Sequence, residues 1–302
     1  MKNLKEYLIE GLFDDVDKLE GKNSLALNAK QLKKEIVDWV CGNYYSSFPR
    51  RNSHKLKKRD IEVDMTTTPP TVNYDYDLYA DKYIISLNNN DVFQWGKIGG
   101  DFGCSYCPSL RDFKGSPKEV KGSFRCNYCS SITTLEGAPE KVGENFDCAN
   151  CDNLKTLEGA PKEVGGNFNC SYCKSLESLE GAPKKVGGYF MCSGCNLLVS
   201  LKGAPEEVGG RFSCAYCASL KTLKGAPKEV GDEFSCSYCN LLTTLEGAPK
   251  KVGSDFECYS CNSLESLKGA PKKVGRNFDC SLCSLLTSID DAPKEIGGEL
   301  LK

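Results

Sequence analysis

Apolar residues in this chain follow three successive patterns, and the longest of them is strictly periodic. Phenylalanine stands at 102, 124, 146, 168, 190, 212, 234, 256 and 278, a spacing of 22 residues, and each is followed two residues later by cysteine. A proline returns on the same beat from Pro117 to Pro293, with Val120, Val142, Val164 and so on to Ile296 three residues after it. Two further apolar positions, such as Leu154 and Leu157 or Leu176 and Leu179, lie between cysteine and proline. One unit reads V-x-x-x-F-x-C-x-x-C-x-x-L-x-x-L-x-G-A-P-x-x. A fixed period of this length marks a solenoid, in which a unit cannot bury its apolar face alone and must stack on its neighbours.

Within a unit the local period changes. Asn167-Phe168-Asn169-Cys170-Ser171 alternates polar and apolar, which predicts a short strand with Phe and the first Cys pointing inward. The following Ala-Pro-Lys-Glu-Val-Gly-Gly places proline where a helical turn starts and glycine where it stops, predicting one short turn on the opposite side. Upstream, Leu4, Tyr7, Leu8 and Leu12 share one helical face, and Leu25, Ala29, Leu32, Ile36 and Val40 share another. Residues 1–48 are therefore expected as a helical segment that packs on itself or caps the array. Residues 49–59 form a basic linker. Alternation at Ile61, Val63 and Met65, then at Val72, Tyr74, Tyr76 and Leu78, predicts a β-rich cap over 60–97, with the solenoid occupying 98–302.

The phrase x-F-x-C-x-x-C-x-x-L resembles the leucine-rich-repeat consensus, with Phe and the first Cys at the strand leucines and the second Cys at its Asn/Cys position. This resemblance implies a parallel β ladder of about nine coils with short turns on the convex side. The chain departs from that consensus in carrying glycine at the first strand-leucine position. More narrowly, EGAPKEVGGNFNCSYC resembles repeats in predicted proteins of tailed bacteriophages and related bacterial genomes, which implies such a setting and no particular activity. MKNLKEYLIE resembles the amino-terminal targeting peptides of phage internal head proteins, which implies a packaged virion protein as an alternative.

Composition removes several classes. The 302 residues carry 39 Lys+Arg against 41 Asp+Glu, a formal charge of −2, which argues against a surface dedicated to polyanions. No run of 18 apolar residues is present, so no membrane-crossing helix is expected, and the charged opening MKNLKEYLIEGLFDD lacks the apolar core of a secretory signal. The expected compartment is a reducing cytoplasm, where thiols stay reduced.

Of the 19 cysteines only Cys41 lies outside the nine Cys-x-x-Cys pairs. Adjacent pairs such as Cys104, Cys107, Cys126 and Cys129 have zinc-ribbon spacing, so a metal is the alternative reading. The phase with Phe and the odd number of pairs favour small buried hydrophobes instead; disulfides are a third reading. No cofactor is expected.

Catalysis has little support: His54 is the single histidine and no nucleophile elbow, P-loop or metalloprotease motif occurs. The basic run Arg50 to Arg59 can make weak phosphate contacts but has no recognition motif beside it. What remains is recognition of another macromolecule, most simply a protein, by outward residues of the strands. Most of these are small or polar, whereas Tyr189, Met191 and Arg211 stand together in neighbouring coils and belong to types enriched at binding hot spots. Tyr106, Tyr128, Tyr172, Tyr216 and Tyr238 recur before the second Cys, interrupted by Asn150, Gly194 and Ser260. This column is expected either to stack from coil to coil or to bind.

Overall fold

The protein folds, in a computed structural model that describes residues 22–46, 56–87 and 91–302, as a right-through parallel β-solenoid. The opening stripe of Leu4, Tyr7, Leu8 and Leu12, the targeting-peptide likeness, His54 and most of the basic run lie outside the described residues.

Each coil contributes two strands of two residues. One begins at Phe, from Phe124–Arg125 to Phe278–Asp279, and the other ends at Val, from Glu119–Val120 to Lys273–Val274. Phe pairs with Phe and Val with Val in unbroken parallel register, as in Phe168↔Phe190 and Val164↔Val186. The Pro-Val segment expected as a helical turn is thus a second ladder. Its local turn signals are overridden because an identical backbone lies one coil away, and hydrogen bonds run between coils: Gly187 N donates to the Val164 carbonyl at 2.9 Å, and Lys184 N to the Lys162 carbonyl at 2.9 Å. The Phe strand does the same, with Phe168 N on the Tyr189 carbonyl at 2.7 Å and Cys170 N on that of Met191 at 2.8 Å.

Inside this frame the phenylalanines form a continuous spine. All nine are fully buried, and successive rings lie 5.1 to 5.7 Å apart with tilts of at most 21°. That spacing follows from the rise between parallel strands, about 4.8 Å. The two leucine columns and the prolines are buried around it. The chain re-enters each coil but the last through a left-handed glycine, with φ between 77° and 100° at the eight positions before Ala-Pro or Ser-Pro; at Gly181 a side chain would also run into the backbone of Leu157 and Glu158.

The amino-terminal end is closed. Helix α1 (Lys22–Asn43) buries Ile36, Val37 and Val40, with Leu32 and Trp39 partly buried, in the same core as the first coils. Strand β1 (Tyr44–Tyr45) runs antiparallel to β4 (Leu78–Ala80), and β2 (Glu62–Asp64) antiparallel to β3 (Thr71–Tyr74). β4 then leads into the Phe ladder and β3, through β5 (Gln94–Ile98), into the Val ladder. Tyr44 Oη and Trp95 Nε1 both donate to the Leu87 carbonyl at 2.7 Å, and both rings rest against Phe102, where the spine begins.

The outward residue of the Val ladder alternates in charge: Lys97, Glu119, Lys141, Glu163, Lys185, Glu207. Neighbours along it pair, Lys185 with Glu207 at 3.1 Å and Lys273 with Glu295 at 3.0 Å. The alternation breaks at Glu207/Glu229, where the strand pairing shrinks to Val208↔Val230 alone, and again at Lys251/Lys273, where the register stays complete.

Replacing Phe190 by alanine, in mid-spine, is expected to cost about 3–5 kcal/mol in urea denaturation, because its neighbours cannot collapse into the gap without losing register. Phe190→Leu should recover most of this loss.

Candidate binding face

The outward side of the Phe ladder is built from the residues that flank each Phe. Those before Phe are tied into the backbone. Asn145 Oδ1 accepts from Asn167 N at 2.8 Å, Asn167 Oδ1 from Tyr189 N at 2.7 Å, Asp255 Oδ1 from Asn277 N at 2.9 Å, and Asn277 Oδ1 from Glu299 N at 2.9 Å. Each short polar side chain therefore satisfies an amide one coil further on. Tyr189 and Arg211 interrupt this relay with a ring and with a guanidinium, which has no acceptor to offer.

Tyr189 is 43% exposed, its ring lying over Gly210, and Met191 is partly exposed beside Asn169 and Ser213. Arg211 turns the other way: it is ion-paired with Glu233, and its Nη2 lies 4.0 Å from a carboxylate oxygen of Glu257. The three residues are thus adjacent in register, but Arg211 holds carboxylates of the next two coils rather than extending the Tyr-Met pair. Burial, and then the neighbouring Glu257, push the Glu233 carboxyl up to about 7 against the partial opposition of Arg211.

Two residues of the same coil went unnoticed in the pattern. Leu197 and Val199 are 48% and 49% exposed at positions held in most other coils by Ser, Asn, Thr, Lys or Glu. Comparing coils column by column beyond the second Cys would have found them, just as it found Tyr189.

The tyrosine column has a backbone cause. Tyr106, Tyr128, Tyr172, Tyr216 and Tyr238 all have φ of 59° to 61°, and Asn150 and Gly194 occupy the same left-handed position at 58° and 70°. Asparagine and glycine are the residues this conformation favours, so the tyrosines are the costly ones. Stacking offsets the cost: Tyr106 and Tyr128 lie 4.6 Å apart, Tyr216 and Tyr238 4.4 Å, each pair within 12° of parallel, and the Tyr172 ring lies over Gly194.

The cysteines line the core in two columns. From the second pair onward, the second Cys donates to the carbonyl of the first Cys one coil earlier, as Cys195 Sγ does to Cys170 O and Cys217 Sγ to Cys192 O, both at 3.3 Å, while Cys107 Sγ donates to the Asp81 carbonyl. Just past the strand the left-handed residue turns the backbone away, and the thiol supplies the donor that a longer ladder would have taken from an amide. Burial holds Cys148, Cys170, Cys192, Cys214 and Cys258 well above the ordinary thiol range. No cysteine among the described residues is in a disulfide, and no group of three or more Cys, His, Asp or Glu side chains there is arranged to hold a metal ion. Cys104, Cys107, Cys126 and Cys129 accordingly offer no preformed zinc site. No helix among the described residues is long and apolar enough to cross a membrane.

Comparison of the chain with protein-family profiles, with curated proteins and with solved structures returns no match.

Two outcomes follow from these environments. An aromatic disulfide reagent applied to native protein should modify Cys41 and Cys283, the two cysteines that are not fully buried, and reach the remaining thiols only on unfolding; rapid modification of all of them would contradict the buried columns. Glu233 has a folded pKa of about 7 against an ordinary 4.5, so its contribution to stability is fully present below 4.5 and is lost as pH rises through about 7. Relative to Glu233→Gln, the wild-type chain should therefore lose on the order of 1–2 kcal/mol between pH 4.5 and 7.5 in paired denaturation curves.

Proposed function

We propose that this chain is a non-enzymatic repeat scaffold that binds a protein partner through the outward face of its Phe ladder, centred on Tyr189 and Met191. One observation carries the reading. In the coils that carry Phe the two positions flanking it are otherwise small, polar or charged, and the coil that places Tyr189 and Met191 there also exposes Leu197 and Val199 beyond the turn at Gly194, the Leu197 column being one where Leu241 and Leu285 are exposed in later coils. Single exposed apolar residues are ordinary, but several gathered in one coil cost solubility without adding to the core, and a partner that covers them removes the cost.

The stacked tyrosines already have a structural use, and Arg211 is engaged with Glu233, so the anchors of this reading are Tyr189 and Met191. The leucine-rich-repeat likeness and the phage or bacterial setting belong to the same proposal. They rest on the wording of the repeat and place the scaffold in a bacterial cytoplasm, with a virion as the alternative.

The test is affinity capture from bacterial lysate with the intact chain and with Tyr189→Ala/Met191→Ala. The double variant should lose specific proteins that the intact chain retains, each anchor being worth about 1–3 kcal/mol, while its melting temperature barely changes. Undiminished capture with a clear drop in melting temperature would make the pair structural and end this reading.

A further inference from the structure

Charge on the Phe-ladder face is distributed unevenly along the array. On the amino-terminal side of Tyr189, Asp101 is ion-paired with Arg125, and the coils between carry Ser123, Asn145, Asp147, Asn167 and Asn169. On the carboxy-terminal side the same two outward columns carry Glu233, Asp255, Glu257, Asp279 and Glu299. Against these stand only Arg211, paired with Glu233, and Arg276 at the corner, 3.6 Å from Asp255. Negative charge is therefore in excess over four successive coils, which begin two coils beyond Tyr189 with the Arg211 coil between.

Resting on the binding reading above, we infer that the partner presents an extended basic segment next to an apolar anchor, with the anchor over Tyr189 and Met191 and its Lys or Arg side chains along Glu257 and Asp279. The dimensions suit this. Coils repeat about every 4.8 Å, so the distance from Met191 to Asp279 across the ladder is about 20 Å, which an extended segment of about six residues spans. A cationic partner also answers a strain already present on the face. Glu233 stands among Arg211, Asp255 and Glu257, and the two neighbouring carboxylates help to keep its proton on near neutrality. Added positive charge would let that proton leave, so the segment binds more tightly as pH rises through about 7. Nucleic acid is disfavoured by the same carboxylates.

The probe is a labelled peptide of about ten residues with Leu and Phe at one end and a run of lysines at the other, in both orders, titrated with the whole chain in fluorescence anisotropy. At least one order should bind, and its counterpart with glutamate for lysine should bind about tenfold more weakly or not at all. Affinity should fall with added salt, which screens exposed charges. Glu257→Gln/Asp279→Asn should weaken the basic peptide several-fold and flatten the salt dependence, Tyr189→Ala/Met191→Ala should weaken it about tenfold, and Lys185→Gln, on the other ladder, should leave it unchanged. Equal affinity for acidic and basic peptides, indifference to the Glu257/Asp279 changes, or no binding of any peptide would overturn the inference. If lysate capture still depends on Tyr189 in that case, the scaffold reading stands and only the basic partner falls. A salt-sensitive dimer of the free chain, seen in sedimentation and lost when residues 49–55 are deleted, would instead make the basic run of a second copy the occupant and overturn a foreign partner.

Discussion

Everything in this array depends on registry between coils. A coil has few hydrogen bonds of its own; its amides find carbonyls one coil away, and its Phe finds the next Phe, so the structure exists only if each coil has the same length as its neighbour. Insertion of a single residue would turn Phe from the spine toward solvent and separate both ladders at once. This is why the prolines, the re-entry glycines and both cysteines keep their places so closely while the outward positions wander. Stability in such an array is a sum of interfaces between neighbours, and the Phe spine, the thiol-to-carbonyl bonds and the corner asparagines are three contributions to each one.

The period, the buried phase of Phe and the first Cys, and the β-rich lead-in could all be read directly, because each is a repeated statement about one face. The second ladder could not. Lys185 and Val186 carry the signals of a turn, and only the presence of Glu207 and Val208 one coil on makes a strand of them; a pairing between coils is invisible to any window shorter than the repeat. The tyrosine column was legible as a column but not as a backbone position. Asn150 and Gly194 seemed to interrupt it, when in fact they fit its left-handed geometry best.

On the binding face the limits were of another kind. Tyr189 and Met191 stood out because their equivalents in other coils are small and polar, and the fold leaves them accessible. Arg211 stood out for the same reason, yet its charge is taken up by Glu233 and Glu257, carboxylates one and two coils further on whose approach depends on the ladder. Contrast between coils identifies a residue that differs; it does not say whether the difference serves a partner or a neighbour.

The alternating charges of the Val ladder bear on how the array can change length. Whole coils are interchangeable in backbone, so loss or duplication of a 22-residue unit preserves every main-chain contact. Side chains decide the matter. Loss of any one of the coils bearing Glu119, Lys141, Glu163 or Lys185 would set like charges against each other, whereas loss of the coil bearing Glu229 would bring Glu207 against Lys251 and join opposite ones. Deletion of a single coil thus opposes like charges in the first half of the solenoid and joins opposite ones in the second.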